Sequence, residues 1–514
     1  MLFNSYAFLL AYLPVTLIGF FTLGRLGKQA GAAWLAACSI FFYAWWDTTY
    51  LTLLMGSICV NYLLGGQIAQ HAGTTRGKQL LGLAVAGNLA LLGYYKYADF
   101  FLGSLNTLLG THHPLLDILL PIGISFFTFT QIAFLADAFA GKVTEYRFIH
   151  YVLFVTYFPH LIAGPVLHHK EMMPQFDEDR NYRPDSANFA VGLSIFAIGL
   201  AKKVLIADNL AEYANPIFAP DAPAPSLLMA WGGALAYTFQ LYFDFSGYSD
   251  MAIGLSRLFG VRLPLNFNSP YKASNITDFW RRWHMTLSRF LRDYLYIPLG
   301  GNRKGPLQRH INLMTTMFLG GLWHGAGWNF AIWGALHGAY LVINHSWQGI
   351  AHQIPVHLPP RLTRLLSWSL TFLSVVLAWV YFRAPDLDSA HRILLGMLGQ
   401  AGVALPDALM SRLGPLAGPL EALGVTTFLG GGSQFIATWS WVLAAGGIAF
   451  FAPNTQEILG YHTPALNADP LHPIVPARRL ALQGTRREAM LIGSLLALGI
   501  LALSRPTEFL YFQF

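Results

Sequence analysis

The chain carries little charge for its length. Only 11% of its 514 residues are Asp, Glu, Lys or Arg, and 54% are hydrophobic, whereas roughly a quarter of the residues in a typical soluble domain are charged. The composition excludes an ordinary soluble protein and predicts an all-α polytopic membrane protein with about ten to twelve crossings of about 20 apolar residues each. Candidate spans lie at 3–22, 32–48, 50–68, 80–98, 117–138, 149–166, 188–210, 228–254, 311–324 with 328–345, 365–383, 436–453 and 488–504.

Cysteine is scarce, and the common nucleotide motifs are missing. Cys38 and Cys59 are the only cysteines; both lie in candidate spans without metal-ligand spacing, which favours small buried apolar residues. No Walker A motif and no Rossmann fingerprint occurs, so no sequence motif supports nucleotide hydrolysis or dinucleotide chemistry. The histidine pairs at 112–113 and 168–169 have no further ligands at suitable spacing, so we predict no metal site.

Internal repeats are absent as well. No period of about 20 to 50 residues recurs, which argues against solenoids and against transporters built from obvious repeats. We therefore predict a single membrane-embedded domain over residues 1–514, with core motifs at 240–340 and a C-terminal tail at 505–514.

The formal net charge of +7 comes from basic residues scattered among short loops. A basic soluble domain would suggest nucleic acid, but basic loops between apolar runs indicate positive-inside orientation in a lipid bilayer. Arg25 and Lys28 follow the first span. We therefore predict that the N-terminus and the C-terminal tail lie outside, with no nucleic-acid partner.

Two histidines interrupt the apolar pattern. His324 lies in Gly320-Gly321-Leu322-Trp323-His324-Gly325, and His284 ends Phe279-Trp280-Arg281-Arg282-Trp283-His284. Ionisable groups at membrane depth are costly and usually functional, and imidazole titrates near neutral pH, where it can take a proton from a hydroxyl. We predict that His324 is the general base of an acyl transfer. The alternative is a buried histidine bound to a backbone carbonyl. His337, about 220° further around a helix, is interpreted as structural or pore-lining.

The segment 266–301 has an amphipathic pattern. At about 100° per residue, one face of a continuous helix would be aromatic and apolar, with Phe279, Trp283, Leu287, Phe290 and Tyr294. The other face would be basic, and His284 and Ser288 would lie at the boundary. Such a helix fits the membrane interface or a re-entrant element buried in protein. The basic residues are Arg281, Arg282, Arg289 and Arg292.

A second polar cluster, Tyr242-Phe243-Asp244-Phe245-Ser246-Gly247-Tyr248-Ser249-Asp250, lies in a candidate span. Asp244, Ser246 and Asp250 could line an aqueous tunnel or bind an ion; alternatively they could hydrogen-bond a broken helix. Ser246 does not lie in the glycine-x-serine-x-glycine pattern of a hydrolase nucleophile.

These motifs together resemble the membrane-bound O-acyltransferase family. Within it they are most similar to the bacterial alginate O-acetyltransferase branch, which is related to the D-alanyl transferases of teichoic acid. The resemblance covers most of the chain and is also carried by Phe41-Phe42-Tyr43-Ala44-Trp45-Trp46, Leu120-Pro121-Ile122-Gly123-Ile124-Ser125-Phe126, Pro159-His160-Leu161-Ile162-Ala163-Gly164-Pro165 and Phe382-Arg383-Ala384.

The resemblance implies a ring of tilted helices, with re-entrant or interfacial helices, around a central tunnel through the bacterial inner membrane. His324 matches the family's catalytic histidine and His284 its supporting position. The implied activity is passage of acetyl groups from a cytoplasmic thioester, acetyl-CoA, to an exported alginate-like or cellulose-like polysaccharide. The implied partners are an SGNH-type extracytoplasmic acetyltransferase and a polysaccharide secretion complex, with no permanently bound cofactor. The four arginines could bind donor phosphates or lipid headgroups.

The last six residues, Phe509-Leu510-Tyr511-Phe512-Gln513-Phe514, resemble the Phe-x-Tyr-x-x-Phe terminus of small partners of the D-alanyl transferases. The resemblance implies that Tyr511 is a transient acyl carrier, because a phenol is more acidic than an alcohol and its ester is activated. The alternative is an aromatic anchor at the membrane interface.

Two other classes remain open from the sequence. A polytopic transporter or ion-coupled channel could use the histidines, Asp244 and Asp250 as an intramembrane path. A non-catalytic scaffold of a polysaccharide secretion complex is the third possibility.

Overall fold

Helices account for nearly all regular structure. The computed structural model describes residues 1–45, 48–143, 147–162, 164–353, 358–466, 474–477, 480–504 and 510. The first helices are α1 (Leu13–Gly24), α2 (Lys28–Ala44), α3 (Leu51–Gln70), α4 (Thr75–Leu92), α5 (Ala98–Leu109), α6 (Ile124–Phe139), α7 (Phe148–Thr156), α8 (Phe158–Leu161), α9 (His169–Met172), α10 (Ser186–Ala201) and α11 (Asp208–Phe218).

The second half begins with the longest helix, α12 (Leu227–Leu258). It continues with α13 (Ile276–Arg282), α14 (Met285–Leu291), α15 (Gly305–His324), α16 (Trp328–Ile350), α17 (Pro360–Arg383), α18 (Leu387–Met397), α19 (Asp407–Met410), α20 (Ala417–Ala422), α21 (Gly432–Phe451), α22 (Thr455–Ile458) and α23 (Arg486–Leu501). Short π-helical turns, which often occur at functional sites, lie at Phe8–Tyr12, Gly93–Tyr97, Lys202–Ala207 and Arg292–Tyr296.

The polytopic membrane class predicted from composition is confirmed. Among the described residues, five helical stretches are long and apolar enough to cross a bilayer. The estimate of ten to twelve crossings includes, in addition, long helices with more polar residues, such as α12, α15 and α16. The five stretches are Leu51–Gln70, Ser186–Phe218, Pro360–Arg383, Gly432–Phe451 and Arg486–Ser504.

Helices α10 and α12 pack at very short range because glycines face each other. A Cβ atom at Gly199 would lie 2.6 Å from the carbonyl oxygen of Gly247, and one at Gly247 would lie 2.8 Å from that of Gly199. Gly192 and Gly254 make the same reciprocal contact at 2.7 and 2.6 Å. Small residues allow membrane helices to approach in this way. The contact brings the π turn Lys202–Ala207, which continues α10, against the middle of α12.

Helices α15 and α16 are joined by a second glycine contact. Gly334 and Gly338 form a Gly-x-x-x-Gly pattern on α16, which is typical of close helix pairs in membranes. A Cβ atom at Gly334 would overlap the carbonyl oxygen of Met317, and one at Gly321 would overlap that of Phe330. These contacts fix the C-terminal half of α15, which carries His324.

The continuous amphipathic helix predicted through 279–294 is wrong. Helix α13 ends at Arg282 and α14 begins at Met285, because His284 adopts a left-handed backbone conformation with φ 44° and ψ 52°. The periodic pattern gives no sign of this break. Because of the break, the predicted aromatic and basic residues do not form two faces of one helix. The segment packs within the protein, because Phe279, Trp283 and Leu287 are buried.

The region 390–435, which the sequence alone does not place, is a small α/β unit between α17 and α21. Strands β1 (Val403–Pro406) and β2 (Val425–Phe428) pair in parallel, with Val403 opposite Val425. The unit follows the end of α17, where Asn329 at the start of α16 donates to the carbonyl of Ala384. The unit therefore lies near the start of α16 and the end of α17, opposite the end of this helix pair that contains Ile350 and Pro360.

Replacing Gly199 by Ala tests the α10–α12 contact. We expect Gly199→Ala to destabilise the protein by about 1–3 kcal/mol, because the added methyl group meets backbone atoms that cannot rotate away. Gly82→Ala is the matched control, since a Cβ atom at Gly82 would meet no heavy atom within 4 Å. The measurement is size-exclusion chromatography of the detergent-solubilised protein after heating. Equal thermal stability of the two variants would contradict the packing described above.

Candidate active site

His324 lies at the end of α15 and is buried, with 7% of its surface exposed. Its ring is surrounded by aromatic side chains, with ring centroids 5.2 Å from those of Trp333 on α16 and Phe382 on α17. The ring of His284 is 6.3 Å away. The two histidines predicted to form the site are therefore brought together from separate helices.

The end of α15 is held by two residues that sequence reasoning missed. The Lys96 ammonium donates to the carbonyl of Trp323 at 2.6 Å and to that of His324 at 3.2 Å. The Tyr97 hydroxyl donates to the carbonyl of Leu322 at 2.7 Å. The last carbonyls of a helix have no partner within it, and a cation at that end also faces the negative end of the helix dipole. Lys96 and Tyr97 therefore cap the helix that carries His324.

His284 is completely buried, and its ring orientation is set by Asn266. The side-chain oxygen of Asn266 lies 3.1 Å from Nδ1 of His284 and accepts from the Thr286 hydroxyl at 2.9 Å. An amide oxygen only accepts, so in the neutral ring Nδ1 carries the proton and Nε2 keeps a lone pair. Within the described part of the chain, Nε2 has no hydrogen-bond partner.

A cavity of about 20 Å³ touches the His324 ring. It is about large enough for one water molecule. Its walls come from α12, α17, the break before His284 and the C-terminal tail: Leu241, Asp244, Phe245, Trp283, Trp379, Phe382 and Leu510. His324 therefore faces a small enclosed space rather than solvent.

A larger cavity, of about 600 Å³, lies on the other side of the segment that contains His284. Three of the four arginines predicted for donor binding line it, together with His345. Arg282 does not, because it is bound to Asp278 at 2.8 Å. The three lining arginines are Arg281, Arg289 and Arg292.

The charges in the larger cavity are partly neutralised. Both terminal guanidinium nitrogens of Arg289, Nη1 and Nη2, donate to the carboxylate of Glu171, at 2.5 and 2.7 Å. Arg292 binds Asp293 at 2.7 Å. No ion pair is found for the exposed Arg281 within the residues that the structure describes. Arg281 is therefore best placed to meet an anionic ligand.

The predicted polar cluster on α12 is charge-paired. Asp244 binds Lys203 at 2.6 Å, and Asp250 binds Lys202 at 2.6 Å. Helix α12 is continuous through this region, so a broken helix is excluded. Ser246 is buried, and its hydroxyl has no hydrogen-bond partner among the described residues. Of the three predicted tunnel residues, Asp244 lines the cavity beside His324.

The geometric argument that separated His337 from His324 is wrong. It assumed one helix through both, but the chain leaves helical geometry at Gly325 and resumes it at Trp328. The rings of His324 and His337 pack against the same indole, that of Trp333, at 5.2 and 4.8 Å. His337 also accepts from the indole nitrogen of Trp280 at 3.3 Å, so it supports the aromatic wall of the site.

The proposed carrier Tyr511 lies outside the described residues, but its neighbour Leu510 does not. Leu510 is buried, and its backbone N–H donates to Asp244 at 3.3 Å. Lys96, Lys202 and Lys203 are the functional candidates that the sequence reasoning missed. Each is an ionisable residue inside an apolar run, and that signal alone could have identified them.

Comparison with known proteins agrees with this architecture. The model of the membrane-bound O-acyltransferase family matches residues 39–356. A peptidoglycan O-acetyltransferase of Helicobacter pylori is 46% identical over 432 residues, covering 79% of this chain and 81% of that protein. A probable alginate O-acetylase of Pseudomonas aeruginosa is 46% identical over 403 residues, covering 77% and 75%. A teichoic acid D-alanyltransferase of Bacillus subtilis is 27% identical over 360 residues, covering 66% and 87%. The chain therefore belongs to the membrane-bound O-acyltransferase family and is an acyltransferase.

Proposed function

We propose that this protein transfers acetyl groups from a cytoplasmic thioester, acetyl-CoA, for O-acetylation of an exported polysaccharide. Two of the relatives named above act on peptidoglycan or alginate by their names, and both are polymers of the cell exterior. The observation that carries the proposal is the position of His324, which faces an enclosed cavity with a basic cavity on one side and the C-terminal tail on the other.

His324 acts as the general base. It takes the proton from the acceptor hydroxyl as the oxygen attacks the thioester carbonyl carbon, so that a C–O bond forms and the C–S bond breaks. The departing thiolate then receives that proton from the imidazole. His284, oriented by Asn266, presents Nε2 towards the reacting groups and orients the donor.

The cavity of about 600 Å³ is the donor site. Its size is within the range of ligand pockets, and Arg281 and Arg292 offer guanidinium groups to the donor phosphates. This end of the molecule is basic, which supports a cytoplasmic position by the positive-inside rule. The N-terminus and the C-terminal tail would then lie outside the inner membrane.

The acetyl group leaves on the outer side. We propose that Tyr511 receives it first, since the adjacent Leu510 lies beside His324, and that an SGNH-type extracytoplasmic acetyltransferase within a secretion complex passes it to the polymer. The competing role for Tyr511 is an aromatic anchor. Replacing Tyr511 by Phe distinguishes them: the relay requires loss of polymer acetylation, whereas the anchor retains it.

Substitution of His324 tests the enzyme against its rivals. We expect His324→Ala to lower release of CoA from acetyl-CoA by the purified protein by about 10²–10⁴-fold, the usual contribution of a general base. His391→Ala is the control, because His391 is exposed on α18, away from both cavities. Undiminished acetylation of polymer in cells that carry His324→Ala would favour the scaffold, and a parent protein without acetyl-CoA turnover would favour the transporter.

Substitution of Arg281 tests the donor site. We expect Arg281→Ala to raise the KM for acetyl-CoA about tenfold or more, because a charge-assisted hydrogen bond to a phosphate contributes about 1.5–3 kcal/mol. Arg303→Ala is the matched control, since Arg303 is exposed and does not line the cavity. An unchanged KM in Arg281→Ala, or the same rise in both variants, would place the donor elsewhere.

Lys96 is expected to act as a positioning residue. Lys96→Met leaves two buried carbonyls without their donor and lets the end of α15 move, so we expect kcat to fall about 10-fold to 100-fold with little change in KM. Lys96→Arg should restore part of kcat because it can still donate to the carbonyls. A fall in KM and kcat together, or no rescue by Arg, would contradict this role.

A further inference from the structure

We propose that Asp244 is the docking site of the C-terminal tail and holds the last residues of this chain beside His324. The observation is the contact of Leu510, whose backbone N–H donates to Oδ2 of Asp244 at 3.3 Å. The side chain of Leu510 is only 1% exposed and closes the cavity that His324 faces.

The helix that precedes the tail lies at the edge of the molecule. Helix α23 is largely exposed, and it is followed by the short 3-10 turn Ala502–Ser504. Leu510 comes six residues later, and six residues span at most about 20 Å when extended. The backbone N–H of Leu510 lies in the protein interior, where a polar group needs an internal partner.

Asp244 is suited to hold a backbone N–H because its own charge is balanced. Its other oxygen, Oδ1, lies 2.6 Å from the Lys203 ammonium, and Lys203 is also 2.7 Å from Asp208. Hydrogen bonds to an ionised acceptor are stronger than those between neutral groups. The carboxylate therefore offers one charged oxygen to the tail, while Lys203 retains a second partner if Asp244 is removed.

Asp250 offers a matched comparison on the same helix. It is also a buried aspartate of α12, and it pairs with Lys202, the residue before Lys203. Its carboxylate accepts from Thr455 at 2.5 Å, and it makes no contact with the tail residue described here. Of these two buried ion pairs on α12, the one at Asp244 is bound to Leu510 and the one at Asp250 is bound to Thr455.

The proposal deepens the proposed function and rests on it for its catalytic consequence, since a docked tail places Tyr511 close to His324. The docking itself requires no acyl transfer. It is measured on the full-length protein with both native cysteines, Cys38 and Cys59, replaced by alanine and a single cysteine introduced as Leu510→Cys. The readout is the rate at which N-ethylmaleimide labels that cysteine in membranes, relative to the same protein unfolded in detergent.

We expect slow labelling of Leu510→Cys, because the position is buried. Adding Asp244→Leu should raise the rate at least tenfold, whereas adding Asp250→Leu should leave it unchanged. Equal rates with and without Asp244→Leu would overturn the proposal, and so would equal acceleration by both substitutions. Size-exclusion chromatography establishes that each variant is folded.

A second pair of variants leaves Asp244 intact. Leu510→Pro removes the N–H that donates to the carboxylate, whereas Leu510→Ala retains it and removes most of the side chain. We expect Leu510→Pro to lower acetylation of exported polymer at least tenfold more than Leu510→Ala does. Equal acetylation by the two variants would overturn the docking contact. If the parent protein acetylates no polymer, the proposed function fails, while the labelling rates still decide whether the tail docks.

Discussion

Helix α15 ends in the interior of the protein, and the hydrogen bonds made there constrain the rest of the site. The last carbonyls of a helix need donors from elsewhere, and lipid supplies none. Lys96 and Tyr97 donate to the carbonyls of residues 322–324, so the α4–α5 region and α15 are held together. Gly334 lets α16 approach α15 closely from another side. His324 is therefore fixed through its backbone, independently of what its ring contacts.

The same requirement for internal partners explains the pairing of α10 and α12. Close packing at Gly192 and Gly199 brings two consecutive lysines onto two aspartates that would be costly alone in a membrane. Removing one partner of a buried pair leaves the other uncompensated, so these contacts fix how far each helix can slide. They also place a charged carboxylate in the wall of the cavity at His324, where an apolar residue could not bind a backbone N–H.

Composition predicted the membrane class, and motifs within short segments carried the family resemblance, which in turn implied that His324 and His284 belong to one site. The break at His284 was not predictable, since the amphipathic pattern continues through it and only the left-handed backbone shows it. The position of His337 relative to His324 was also predicted wrongly, because helix periodicity was extended across the break at Gly325. The cap by Lys96 joins residues 227 positions apart in sequence. A single sequence marks such a lysine as unusual but does not identify its partner.

The size of the cavity at His324 sets a requirement on the reaction. A space for about one water molecule is smaller than a thioester carbonyl and an acceptor oxygen together, so the acyl transfer proposed at His324 requires part of this wall to move. The walls from α12 and α17 belong to long helices, and Trp283 packs between the rings of Phe279 and Trp379. Leu510 belongs to the tail and is bound to Asp244 through one backbone hydrogen bond. Of the walls described here by residue, Leu510 is therefore the one held neither by a long helix nor between two aromatic rings.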